Sequence, residues 1–124
     1  MQTVVLNTND KGYKKLIVWQ KADELAYQIY IASKKFPREE LFGITSQLRR
    51  AALSIPTNIV EGMGRQNRLE ARQFTNIALG SLAETEYLLE FCVKLNLLSA
   101  DEYKRLENLR SYLGAILWKF YKSF

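Results

Sequence analysis

The chain has 124 residues, 48% of them apolar and 25% charged, with a net charge of +5, a balance that describes one folded domain and excludes a disordered chain. It contains no histidine, which removes the usual general base near neutral pH and a common metal ligand, and so closes most routes to hydrolytic or zinc chemistry. Its single cysteine, Cys92, leaves no internal disulfide and points to a reducing, cytoplasmic setting, while no export signal or membrane-spanning run is read.

Residues 1–15 are polar and end in the turn-forming Asp10-Lys11-Gly12-Tyr13-Lys14-Lys15; they are expected to be a flexible lead-in to a helical domain spanning 16–124. Four helical patterns follow, and only Leu16-Ile17-Val18 hints weakly at a strand. The first runs from about Val18 to Lys35, with Ala22, Leu25, Ala26, Ile29 and Ser33 recurring on one face. Phe36-Pro37 stops it, because the residue before proline is biased away from helix. The second begins between Glu39 and Thr45 and runs to about Glu61, with a core stripe of Leu41, Ile44, Leu48, Ala51, Ala52, Ile55 and Ile59. Gly62 and Gly64 are its expected C-terminal caps, since glycine accepts the left-handed conformation there. Pro56 lies inside this helix, where a proline ordinarily costs about 3 kcal/mol.

The third helix starts at the N-cap Asn67, with Glu70 at capping-box spacing, and runs to about Leu95. Phe74, Ala78, Ser81, Thr85, Leu88, Cys92 and Leu95 form its seam. A fourth starts at the Ser99/Glu102 capping box, flanked by Leu98 and Tyr103 as a hydrophobic staple, with Leu106, Leu109, Leu113, Ile116 and Phe120 as its stripe. The linkers are short enough to force consecutive helices antiparallel, predicting an all-α, up-down-up-down four-helix bundle. A second stripe on helix three (Leu79, Leu82, Leu89, Val93), the off-face Tyr27, Tyr30 and Ile31, and the aromatic C-terminus exceed what one bundle needs to bury, which points to self-association.

Chemistry-bearing residues are few. Glu61, Glu84, Glu86 and Glu90 lie on long helices, but a bundle metal site would need histidine partners, so no metal or cofactor is expected. Cys92 reads as a buried structural thiol. Gly62-Met63-Gly64-Arg65 lacks the preceding strand and the Lys-Ser/Thr ending of a nucleotide-binding loop. Glu61 falls where the helix dipole disfavours an acid, so a cation or backbone donors are expected to hold it, with Arg65 the nearest candidate. Between Leu41 and Arg72, five arginines (Arg49, Arg50, Arg65, Arg68, Arg72) stand against two acids, Glu61 and Glu70. The planar arginine fork suits phosphate, so these five are the candidate contacts to RNA or DNA. The rival reading is a protein-interaction adaptor that docks a partner through apolar helix faces; no catalytic residue is assigned.

Three stretches in order carry a family resemblance: Ile17-Val18-Trp19-Gln20-Lys21-Ala22; Ser46-Gln47-Leu48-Arg49-Arg50-Ala51-Ala52 leading into Ser54-Ile55-Pro56-Thr57-Asn58-Ile59-Val60-Glu61-Gly62; and Ala78-Leu79-Gly80-Ser81-Leu82-Ala83-Glu84. From about Leu16 to Tyr121 the chain resembles the 23S rRNA-intervening-sequence proteins. The resemblance implies a bacterial four-helix bundle without enzymatic activity, assembled as a ring, typically a homopentamer; some members are encoded in insertions within large-subunit ribosomal RNA genes. More distantly the chain resembles the accessory proteins of diversity-generating retroelements, which implies a nucleic acid and a reverse transcriptase as possible partners. In such a bundle Pro56 would bend helix two and free the Ala52 carbonyl, with Ser54, Thr57 and Asn58 satisfying loose backbone groups. Gly80-Ser81 would permit close helix approach. Pro56, Asn58, Glu61, Gly62 and Gly80 are therefore expected to be structural.

Overall fold

The computed structural model describes residues 12–124. Four helices account for most of them: α1 (Ile17–Ser33), α2 (Ile44–Met63), α3 (Arg68–Lys94) and α4 (Ala100–Lys122). There is no strand among the described residues, and Leu16-Ile17-Val18 forms the entry to α1. Residues 12–15, part of the expected lead-in, make a 3-10 turn whose Tyr13 ring packs edge-on against Trp19 at 5.1 Å. The rest of that lead-in, residues 1–11, lies outside the described residues.

Two cross-links show α4 running antiparallel to α1 and to α3, and a third ties α2 to α3. Lys35, just past α1, pairs with Glu102 in the first turn of α4. Arg68 at the start of α3 donates to the Ser123 carbonyl at the end of α4, at 2.7 Å. Between α2 and α3, the most extensively packed pair, the hydroxyls of Ser54 and Ser81 meet at 2.8 Å. Each helix contributes a buried face to one core, with Leu25, Ile29, Leu48, Ile55, Ile59, Leu89, Leu106, Leu113 and Leu117 almost completely enclosed.

Several sequence expectations need correction. Leu41 is not a core residue: α2 begins only at Ile44, behind a separate 3-10 turn at Arg38–Glu40, and Leu41 stays exposed. Leu82 and Leu89 are enclosed and Leu79 and Val93 pack against the core, so the second stripe of α3 is interior and not surplus surface. The face of α3 is wider than one seam because two helices, α2 and α4, pack against it.

The glycines after α2 do not act as left-handed caps. No described glycine has a positive φ, and Gly64 ends the helix at φ −80° with its N–H on the Val60 and Glu61 carbonyls. Gly62 lies inside the helix and is buried for a different reason. A Cβ there would sit 3.2 Å from both the Ala71 carbonyl oxygen and the Phe74 Cβ, so glycine is what lets α2 and α3 close up at their turn. The left-handed residue is Asn96, at φ 61°, after α3. Its N–H reaches the Val93 carbonyl and that of Leu97 reaches the Cys92 carbonyl, both at 2.9 Å, the paired bonds of a Schellman motif. Gly80 also departs from expectation: it is exposed and a Cβ on it would meet nothing within 4 Å, so the close approach falls to Ser81 alone.

α2 continues unbroken through Pro56, whose ring is buried. Side chains satisfy carbonyls next to the missing hydrogen bond: Thr57 donates to Leu53 at 2.7 Å and Asn58 to Ser54 at 2.8 Å. These are the two carbonyls after Ala52, and no described side chain donates to Ala52 itself. Asn58 also holds the Ser54 hydroxyl at 2.9 Å, tying the proline turn to the Ser54–Ser81 contact.

The start of α4 makes stability sensitive to acid. The Glu102 carboxylate accepts from Lys35 and from the Ser99 backbone N–H, completing the capping box, and these bonds lower its pKa from 4.5 to about 2. A carboxylate whose folded pKa is depressed contributes stability above its unfolded value and loses it as pH falls through the folded one. The denaturation midpoint is therefore expected to fall between pH 4.5 and about 2, and Glu102→Gln, which keeps the hydrogen-bonding shape but not the charge, should flatten that decline. Equal pH profiles for the two proteins would show that other carboxylates control acid sensitivity.

Candidate functional site

Antiparallel packing brings four helix ends together at one pole of the bundle: the starts of α1 and α3, and the ends of α2 and α4. Asn67 starts α3 by accepting from the N–H groups of Leu69 and Glu70, at 2.8 and 3.3 Å, though Glu70 does not return the bond. This fixes where Arg68 and Arg72 emerge. The Arg65 Nη2 lies 3.3 Å from Glu61, as expected, and its guanidinium lies 4.9 Å from the centre of the Phe74 ring. Both partners of that ion pair are exposed, so it contributes about 0–1 kcal/mol and leaves Arg65 open to competition by another anion. Arg72 lies 4.6 Å from the Tyr121 ring and makes no hydrogen bond to the described residues. A guanidinium carries five N–H donors, so Arg65, Arg68 and Arg72 all keep most of theirs.

The same pole gathers four lysines that the sequence pattern does not group with them. Lys14 sits over Trp19 at 5.8 Å, with Lys15 beside it in sequence, and Lys119 and Lys122 occupy the last turn of α4, with Lys122 5.7 Å from Trp118. Seven basic side chains (Lys14, Lys15, Arg65, Arg68, Arg72, Lys119, Lys122) thus face two acidic ones, Glu61 and Glu70, a local charge of +5. The remaining described residues carry ten of each sign. The net charge of the described residues is therefore located at one end. An open cleft of about 360 Å³ lies there, between the α2–α3 turn and the end of α4, lined among others by Arg65, Arg68, Phe120 and Phe124.

Arg49 and Arg50 do not belong to this cluster. They lie near the start of α2, roughly 24 Å from Arg65 along the helix. Arg49 is half-buried and holds the last turn of α1: its Nε donates to the Ser33 hydroxyl at 2.8 Å, its Nη2 to the Tyr30 carbonyl at 3.4 Å, and it stacks on Tyr30 at 4.9 Å. Arg50 is exposed on the outer face of α2. The five arginines are thus two groups at opposite ends, three of them in the basic pole.

The sequence matches the profile of the 23S rRNA-intervening sequence protein family over residues 14–119. The chain belongs to that family. Among solved structures it is similar to a protein of unknown function from the S23 ribosomal protein family of Bacteroides thetaiotaomicron, at 27% identity and a TM-score of 0.78, over 86% of this chain and 99% of that one. No curated protein sequence matches it.

The other candidate groups of this intervening-sequence family bundle are placed for structure. Burial pushes the Cys92 thiol up to about 11, with Glu40 adding to the shift, so it stays protonated and unreactive in the core. Glu86 reaches Arg110 at 3.1 Å, and Arg110 also grips Glu107 with two bonds at 2.7 and 2.6 Å, stapling α3 to α4. Among the described residues no group of histidine, cysteine and carboxylate side chains is arranged to hold a metal ion, and no helix is long and apolar enough to cross a membrane.

Proposed function

We propose that this protein is a non-enzymatic, cytoplasmic, ring-forming homo-oligomer that binds the phosphates of RNA or DNA through its basic pole. The observation that carries this reading is the location of the net charge of the described residues, +5, on one end of the bundle, with the opposite charges balanced elsewhere among them. Such a concentrated field attracts a polyanion far better than the same charge spread evenly. Arg65, Arg68 and Arg72 supply planar donors with free N–H groups, and Lys14, Lys15, Lys119 and Lys122 supply point charges around them. Arg50 stands apart as an exposed cation, and Arg49 is engaged in holding α1.

Assembly is supported by apolar side chains on the outside: Leu53 on α2, and Leu69 and Ile77 on α3, are 47%, 66% and 51% exposed. Gly80, with open space where a side chain would be, lies on the same outer face of α3 as Ile77 and would let a neighbouring copy approach closely. A pentamer is the assembly that the family likeness favours. A ring of copies would multiply the charged poles and hence the phosphate contacts. Solution mass is the direct check, and a clean monomer overturns the assembly.

The binding test is a fluorescence-anisotropy titration with a structured ribosomal RNA fragment and a random duplex DNA over a range of salt. Log affinity is expected to fall linearly with log salt, at about 0.9 per phosphate neutralised on a duplex. Absence of binding at low salt would refute the reading. It would turn attention to the adaptor alternative, favoured by the exposed Phe42 ring, 95% accessible on the turn before α2.

A further inference from the structure

We propose that the opposite pole, where the chain passes from α1 into α2, holds a second site that binds a single phosphate group. Two adjoining clefts of about 310 Å³ each meet there and share Leu41, Thr45 and Arg49. Lys34 and Arg38 line one side, and Arg50 lines the other; no carboxylate lines either cleft.

Thr45 is the feature that points to a ligand. It is 3% exposed, and its hydroxyl is the one buried side-chain oxygen or nitrogen among the described residues with no hydrogen-bond partner. Other helical threonines show what such a group ordinarily does. Thr57, Thr75 and Thr85 each donate to the carbonyl four residues back, at 2.7, 2.9 and 2.8 Å. Thr45 makes no such bond, and a buried polar group without a partner calls for one. It sits in the first turn of a 20-residue helix whose cap, Gly43, offers no side chain to that turn's free N–H groups. Helix starts attract anions through those groups and the helix dipole.

The cations are organised to the same end. Ser33 and Tyr30 hold the Arg49 guanidinium in place while leaving it further donors, so it is fixed before any ligand arrives. Together, four cations, a helix start and an orphan hydroxyl suit a tetrahedral dianion, either inorganic phosphate or the terminal phosphate of a nucleic-acid strand. Glu40 lies close to the helix start, with a carboxylate oxygen 3.8 Å from where a Gly43 Cβ would be, and its charge opposes binding. This site shares no residue with the basic pole and does not depend on it.

Thermal unfolding of the full chain in inorganic phosphate, against sodium chloride at equal ionic strength, tests the proposal. The melting temperature is expected to rise by several degrees in phosphate. Thr45→Val, which deletes a hydroxyl that has no partner, should melt no lower than wild type in chloride and should lose the phosphate-dependent rise. Arg38→Gln should reduce that rise, and charge reversal at Arg65 and Arg68 should leave it intact. Anisotropy with one oligonucleotide carrying either a 5′-phosphate or a 5′-hydroxyl separates the two sources. A preference for the phosphorylated strand that Thr45→Val removes assigns the site to strand ends; equal binding with the phosphate rise retained assigns it to free phosphate. No phosphate-specific rise in wild type, or a full rise in both Thr45→Val and Arg38→Gln, overturns the proposal.

Discussion

Replacing Gly62 with leucine is expected to destabilise the bundle by about 2–3 kcal/mol, within the range typical of overpacked cores. The residue is buried at the point where α2 and α3 converge on their turn. Even a methyl carbon there would stand 3.2 Å from the Ala71 carbonyl oxygen and from the Phe74 Cβ. Neither neighbour is free to give way. The Ala71 carbonyl is part of the α3 backbone and also accepts the Thr75 hydroxyl at 2.9 Å, while Phe74 carries the Arg65 guanidinium on its ring. Leucine would therefore force the two helices apart along their most extensive interface. Alanine is the informative comparison: it gains about 1 kcal/mol of helix propensity over glycine, which offsets much of the crowding, so Gly62→Ala should lie within about 1 kcal/mol of wild type. Urea unfolding reads both, as a shift of midpoint at constant slope. A leucine variant with the wild-type midpoint would show that the turn is looser than the packing implies.

Gly62 also shows what a sequence does and does not reveal about this fold. Helix number, order and approximate ends are readable because they rest on local chemistry: periodic apolar residues, the Asn67 cap, the reciprocal Ser99/Glu102 box and the stop at Phe36-Pro37. Glycine just before the end of a helical pattern carries two meanings, a left-handed cap or room for a neighbour, and only the position of α3 decides between them. The left-handed role instead falls to Asn96, a residue able to adopt that conformation but rarely identified by it in advance. Gly80 reverses the ambiguity, since the space it leaves faces outward. Leu82 and Leu89 look surplus on a single-seam reading, and become core once α4 as well as α2 packs against α3.

The basic pole is half legible. Arg65, Arg68 and Arg72 stand out because they crowd within one turn and the start of one helix. Arg49 and Arg50 group with them by sequence proximity, although a helix of this length carries them to the other end of the molecule. Lys14, Lys15, Lys119 and Lys122 escape notice because they lie near opposite ends of the chain. The signal is nevertheless present in the predicted topology: an up-down-up-down bundle places the start of its first helix and the end of its fourth beside the turn between the second and third. The exposed basic residues of the pole come together only after the fold is drawn.

The sharpest consequence of that placement concerns charge reversal. Arg68→Glu combined with Arg72→Glu takes the basic pole from +5 to +1 without touching a core residue. Nucleic-acid affinity at about 0.1 M salt is expected to fall by about 100-fold to 1,000-fold, because each reversal removes an attraction and adds a repulsion worth on the order of 1 kcal/mol or more at close range. The salt slope should also fall by about 2, one unit for each arginine that no longer neutralises a phosphate. Arg68 additionally gives up its exposed bond to the Ser123 carbonyl, so the melting temperature must be measured beside the affinity. The control makes the same change in total charge at the other pole: Lys104→Glu with Arg105→Glu, both exposed near the start of α4, should alter affinity by no more than about threefold, since at 0.1 M salt charges beyond roughly 10 Å are largely screened. Equal losses from the two pairs would mean that binding follows total charge and that the pole is not the site. A large loss confined to Arg68 and Arg72 would place the phosphates at the α2–α3 turn, where four helix ends bring the charge together.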